Sequence, residues 1–146
     1  MTTVAVSGGF DPIHIGHVEM MKEAKALGDK LVVILNNDNW LKKKKGFVFM
    51  NEQERKAVIE AIRYVDEVVL TSHKPNTEDM SVCNDLEALK PDIFANGGDR
   101  KPDGDPVPEV ELCERLGISM VYNVGKSGKI QSSSELVRQA KNVSNK

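Results

Sequence analysis

Val4-Ala5-Val6-Ser7-Gly8-Gly9-Phe10-Asp11-Pro12-Ile13-His14-Ile15-Gly16-His17 is the stretch from which the rest of the chain is read. An apolar run enters paired glycines, a turn follows, and two histidines stand three apart where a helix begins. The helix is predicted over 16–27, with Val18, Met21, Ala24 and Leu27 at core spacing and Gly28 as its C-cap. A strand, a glycine turn and a helix start together suit an anion. Glycine lets the backbone approach a phosphate, and the first helical turn offers unpaired N–H groups and the positive end of the dipole. His14 and His17 share one helical face, so both can meet the same group. In isolation an HxxH pair reads as well as a coincidence or a partial metal site as it does as an anion site; the strand and glycine turn before it favour phosphate chemistry.

Working outward, Leu31-Val32-Val33-Ile34-Leu35 reads as a parallel strand covered on both faces. Asn36-Asn37-Asp38-Asn39 ends it in turn chemistry, and Lys42-Lys43-Lys44-Lys45-Gly46 stands at the entrance to a loop. Asn51 is the expected N-cap of a helix carrying Arg55, Val58, Ile59 and Ile62. A strand over 67–71, a loop over 72–78 and a helix over 79–89 follow, the last stopped by Pro91. A strand over 92–95 runs into Asn96-Gly97-Gly98-Asp99-Arg100, and a Pro-, Gly- and Asp-rich loop covers 100–106. Helix 107–116, strand 118–123 and helix 134–141 complete the pattern. Alternating strands and helices predict one α/β domain over 1–146: a Rossmann-like open parallel sheet of about five strands, helices on both faces. Ligands of such sheets sit beyond the carboxyl ends of the strands. The histidines, Asn36 to Asp38 and Gly97-Gly98-Asp99 therefore converge on one rim.

Composition narrows the class. With 20 basic and 22 acidic residues the net charge is −2, which argues against a nucleic-acid binder. Cys83 and Cys113 have no CxxC spacing and read as thiols of a reducing compartment. No basic leader opens the sequence, and no stretch approaches the ~20 apolar residues that span a bilayer, so a cytoplasmic protein without a membrane partner is expected. Neither a GxGxxG fingerprint nor a GxxxxGK[ST] loop is present.

The glycine turn with His14-Ile15-Gly16-His17 resembles the signature of the nucleotidylyltransferase superfamily, shared with the much larger class I aminoacyl-tRNA synthetases. Gly9-Phe10-Asp11 before it is similar to the GxFDxxHxGH of the cytidylyltransferase branch. Ala26-Leu27-Gly28-Asp29-Lys30-Leu31-Val32-Val33 resembles that branch's helix end and following strand. Arg63-Tyr64-Val65-Asp66-Glu67-Val68 is similar to a stretch of glycerol-3-phosphate and phosphoethanolamine cytidylyltransferases. Lys90-Pro91-Asp92 with Gly97-Gly98-Asp99 resembles heptose-phosphate adenylyltransferases, and Ile130-Gln131-Ser132-Ser133-Ser134 stands where the family carries an ISTT-like motif. The triple serine is also similar to archaeal FAD synthetases. Lys126-Ser127-Gly128-Lys129 departs from the arginine and glycine that often precede ISTT.

The resemblance implies transfer of a nucleoside monophosphate, with CMP from CTP preferred and ATP-dependent transfer of heptose-phosphate or FMN type as the alternative. The acceptor is a small phosphorylated alcohol or sugar. A non-catalytic nucleotide-binding domain is the rival of another class. His14 and His17 are expected to stabilise phosphate charge, joined by Lys44 or Lys45; the other reading of the lysine run is a solvated surface. Gly8, Gly9, Phe10, Gly16, Gly98, Ser132 and Ser133 are expected around the nucleotide. Asp11, Asp38, Arg55 and Asp99 are expected at the acceptor. Asp11 reads equally as a helix-entry cap, Arg55 as a surface ion-pair partner, Asp99 as a turn residue and a serine of the cluster as an N-cap. Mg²⁺ is expected to arrive mainly through the nucleotide phosphates. A homodimer is implied by the resemblance.

Overall fold

The computed structural model describes residues 1–97 and 108–124. Five strands, β1 (Thr3–Gly8), β2 (Lys30–Leu35), β3 (Glu67–Leu70), β4 (Ile93–Gly97) and β5 (Ser119–Val124), form one parallel sheet in the order β3-β2-β1-β4-β5. Between them lie α1 (Ile15–Lys25), α2 (Asp38–Lys45), α3 (Glu52–Glu60), α4 (Cys83–Leu89) and α5 (Pro108–Leu116). The predicted α/β sheet is the observed one.

Alternation along β1 divides the core. Val4 and Val6 join Met21 and Ala24 of α1 and Ile59 of α3 on one face, with Leu31 and Val33 of β2. Ala5 belongs to the other face, where Ile34 and Phe94 meet Leu86 of α4 and Leu112 of α5. The apolar run of β2 is thus covered on both sides, as a parallel strand requires. Strand order reverses at β1, which pairs with β2 from Thr3↔Lys30 to Gly8↔Leu35 and with β4 through Val4↔Ile93. The opening motif leaves the sheet at that central position. Among the described residues no helix is long and apolar enough to cross a membrane.

Several local expectations are corrected. Asn36 to Asn39 is no simple turn: Asn37 is the N-cap of α2 and its side chain accepts from the Trp40 N–H. The lysine run is the last turn of that helix, where cations face the negative end of the dipole. Gly46, at φ +87°, closes α2 in the left-handed conformation that glycine adopts cheaply. Ala26, not Gly28, caps α1, which ends at Lys25 and leaves Leu27 exposed. Gly28 answers a close approach, since a Cβ there would stand 2.8 Å from the Thr2 carbonyl oxygen. α4 begins at Cys83 and not at 79, because Asp79 accepts from both the N–H and the hydroxyl of Ser81 and holds a local turn. Val58 is exposed on α3. The expected helix 134–141 lies outside the described residues.

Candidate functional site

The turn after β1 is shaped by packing. Phe10 takes φ +50° and buries its ring. A Cβ on Gly8 would stand 3.0 Å from that ring, and one on Gly9 would stand 2.8 Å from a methyl of Leu41 in α2. Both glycines therefore sit where an added side chain would press on a neighbour of the turn, the Phe10 ring or the Leu41 methyl. The Phe10 ring in turn meets His17 edge-on, with centroids 4.8 Å apart.

The two histidines cap their own helix. His14 is the N-cap of α1, and its Nδ1 accepts from the Gly16 N–H at 3.1 Å. His17 Nδ1 accepts from the His14 N–H at 3.2 Å. A capping box normally uses Ser or Thr with Glu or Gln; here imidazoles fill both places. With each Nδ1 lone pair engaged, the neutral ring carries its proton on Nε2. The rings stack with centroids 3.9 Å apart and planes 26° off parallel. Burial lowers the pKa of His14; burial, then His14 and Lys45, lower that of His17 to about 3. At neutral pH the pair is two uncharged N–H donors.

Lys45 supplies the cation beside them. Its Nζ donates to the Asp11 carbonyl at 3.2 Å, and burial lowers its pKa while Asp11 opposes that effect. Lys44 is exposed, and Lys43 donates to the Asn76 side chain. Of the two expected lysines, Lys45 stands at the histidines.

The residues expected at the acceptor sit differently. Asp11 is buried, and its carboxylate accepts from the Phe49 and Met50 N–H groups at 2.7 and 2.6 Å. It anchors the 47–50 segment to the glycine turn, and the helix-entry cap is His14 instead. Arg55 is wholly buried and gives its N–H groups to protein acceptors, so it is neither a phosphate ligand at the surface nor a surface ion-pair partner. Asp38 is its partner, at 2.7 Å. Gly16 has committed its N–H to His14. Gly98, Asp99, Ser132 and Ser133 lie outside the described residues.

Sequence reasoning read the asparagines after β2 as turn residues on the rim and passed over His73. Asn37 and Asn39 both donate to the His73 carbonyl at 2.9 Å, and the Trp40 indole N–H donates to the Met80 carbonyl. The His73 ring bridges the Thr71 hydroxyl and the Ser81 carbonyl. This fastens the loop after β3 to α2 and lines a cavity of about 480 Å³ with Ser72, Lys74 and Asn76 among its walls. Three amides in four residues after a strand were the available signal.

A glycine turn, paired imidazole donors and one nearby ammonium at the carboxyl ends of a parallel sheet invite comparison with known proteins. The family model described as cytidylyltransferase-like matches residues 5–139. The chain belongs to the cytidylyltransferase-like family. Within it, FAD synthase of Pyrococcus horikoshii is 46% identical over 98 residues, 66% of this chain and 63% of that protein. This chain thus spans under two thirds of that relative. FAD synthase of Thermococcus sibiricus is 38% identical over 136 residues, 87% of this chain and 88% of its own. Ethanolamine-phosphate cytidylyltransferase of Dictyostelium discoideum is 37% identical over 79% of this chain and 32% of that one. Among solved structures, the lipopolysaccharide core biosynthesis protein from Thermoplasma volcanium is 29% identical, with a TM-score of 0.67 over 84% of this chain and 96% of that one. A cytidylyltransferase-like domain is what the opening motif resembles.

Proposed function

We propose that this domain moves the adenylyl group of ATP onto the phosphate of a flavin mononucleotide, with release of pyrophosphate. An acceptor oxygen bonds to the α-phosphorus, the bond from that phosphorus to the bridging oxygen breaks, and the pair of electrons leaves with pyrophosphate. The acceptor phosphate is ionised at neutral pH, so the step needs no strong base. It needs positioning and charge stabilisation.

The observation that carries the transfer is the pair of neutral Nε2–H donors beside Lys45. Fixed donors aimed at developing charge are worth about 10²–10³ in rate each, and the capping bonds fix both rings before substrate arrives. Mg²⁺ on the triphosphate would neutralise phosphate charge. The carboxylates at this rim suit a metal carried by the nucleotide: Asp11 gives both oxygens to backbone N–H groups and Asp38 gives one to Arg55. The choice of ATP and flavin rests on the FAD synthases among the relatives, one of them matched over 88% of its length. It departs from the expected preference for CTP. The second reading, CMP transfer to a phosphoethanolamine-like acceptor, is favoured by Arg63-Tyr64-Val65-Asp66-Glu67-Val68 and by the Dictyostelium relative. A homodimer remains part of the proposal.

Purified protein with Mg²⁺ is given ATP or CTP against flavin mononucleotide, phosphoethanolamine and glycerol 3-phosphate, and pyrophosphate is measured. Release with ATP and flavin mononucleotide is expected. Release with CTP and a phosphoalcohol transfers the assignment to the second reading. Nucleotide binding without release from any pair leaves a nucleotide-binding domain without turnover.

A further inference from the structure

Arg55 is a buried cation surrounded by carbonyls. Its Nε donates to the Met50 carbonyl at 2.9 Å, Nη1 donates to those of Gly9 and Asn36 at 2.8 and 2.6 Å, and Nη2 meets the Asp38 carboxylate at 2.7 Å. These acceptors belong to separate segments. Gly9 immediately precedes Phe10, whose ring abuts His17. Asn36 immediately precedes the N-cap of α2, and Asp38 is the first residue of that helix, whose last residue is Lys45. The Met50 peptide is gripped from both sides, its N–H by Asp11 at 2.6 Å and its carbonyl by Arg55. One guanidinium thus ties the turn that carries the histidines to the root of the helix that carries the lysine.

We propose that Arg55 is a positioning residue, whose buried fork sets the distance between the His14–His17 pair and Lys45 so that both grip one phosphate group. This rests on the reading of the site given above. The lever is mechanical. From Asp38 to Lys45 α2 rises roughly 10 Å, so a tilt of about 10° at its root displaces Lys45 by about 2 Å. Misplacement by about 1 Å can cost about 10² in rate. Lysine keeps the charge, but its donors diverge from a single tip and cannot reach three carbonyls and a carboxylate arranged around a planar fork.

Arg55→Lys and Asp38→Asn are compared with the parent, each checked for native circular dichroism. In Arg55→Lys, kcat is expected to fall about 10²-fold while the affinity for Mg²⁺–ATP stays within about threefold. Asp38→Asn keeps an acceptor oxygen and is expected to fall by a smaller factor. A second readout needs no turnover: inorganic triphosphate binding to His17→Ala, Lys45→Met and the double variant. In the parent background the two losses are expected to be non-additive, and with lysine at 55 they become multiplicative. If Arg55→Lys does not fold, the same cycle is run in Asp38→Asn. A kcat within about twofold of the parent in folded Arg55→Lys, or unchanged coupling between His17 and Lys45, overturns the proposal. Failure of the parent to release pyrophosphate would remove the enzymatic reading, and the triphosphate cycle would still decide the role of Arg55.

Discussion

Each ring of the histidine pair gives its Nδ1 lone pair to a backbone N–H, and burial keeps both uncharged. The stability consequence follows from proton counting. His17 binds its proton at about 3 in the folded chain and at 6.5 in the unfolded one, so between those values the unfolded state holds more protons. Its contribution is complete above pH 6.5 and is lost as pH falls towards 3. Melting temperature measured against pH should fall less steeply across that window in His17→Gln than in the parent; equal slopes would mean that the ring is not held neutral by the fold. Removing either ring, as His14→Ala or His17→Ala, should lower the rate of pyrophosphate release by about 10²–10³ without unfolding the chain. The place of the pair, at a helix start just after the first strand, was legible in its spacing and setting. Its tautomer was not, because nothing in a sequence says that a histidine will cap a helix. The burial of Arg55 was hidden for a related reason: residue type announces a cation, while the fold decides whether that cation meets solvent, ligand or carbonyl.

α2 is the element that sequence reasoning missed. Asparagines suggest a turn, and four lysines suggest a solvated loop, yet Asn37 nucleates a helix and Gly46 ends it. The missing signal was amphipathicity: Leu41 is its one fully buried apolar side chain, seated against the turn at Gly9. Lysine chemistry then separates by position. Lys45→Met should lower turnover by at least about tenfold, and Lys44→Met should leave it within about twofold, a contrast read from kcat/KM of the two variants. Gly46→Ala places a side chain at φ +87° and should cost about 1 kcal/mol in urea denaturation. The strands were easier to read. Val4 to Val6 and Leu31 to Leu35 are apolar without interruption because both faces of the sheet are covered.

For the molecule as a whole, the parallel sheet was the decisive inference, since it brings the carboxyl ends of β1, β2 and β4, at Gly8, Leu35 and Gly97, to one edge from positions far apart in the chain. That edge followed from alternation of strands and helices. The nucleotide did not, because the groups that select a base lie on side chains and loops whose placement alternation does not fix. A ligand bound to the native state raises its stability by about 2.7 kcal/mol at one hundred times Kd. Mg²⁺–ATP should therefore raise the melting temperature more than Mg²⁺–CTP at equal concentration, and the reverse order would favour the cytidylyl reading.

The self-capped histidines also bear on adventitious metal. Zinc takes the lone pair of a neutral imidazole, and in both rings that lone pair already lies against a backbone N–H. Coordination through Nε2 would require each proton to migrate to Nδ1, setting N–H against N–H and undoing the first turn of α1. An HxxH sequence that looks like half of a chelating site is thereby made a poor one, and the same bonds that hold both rings for the proposed reaction guard them against transition-metal poisoning.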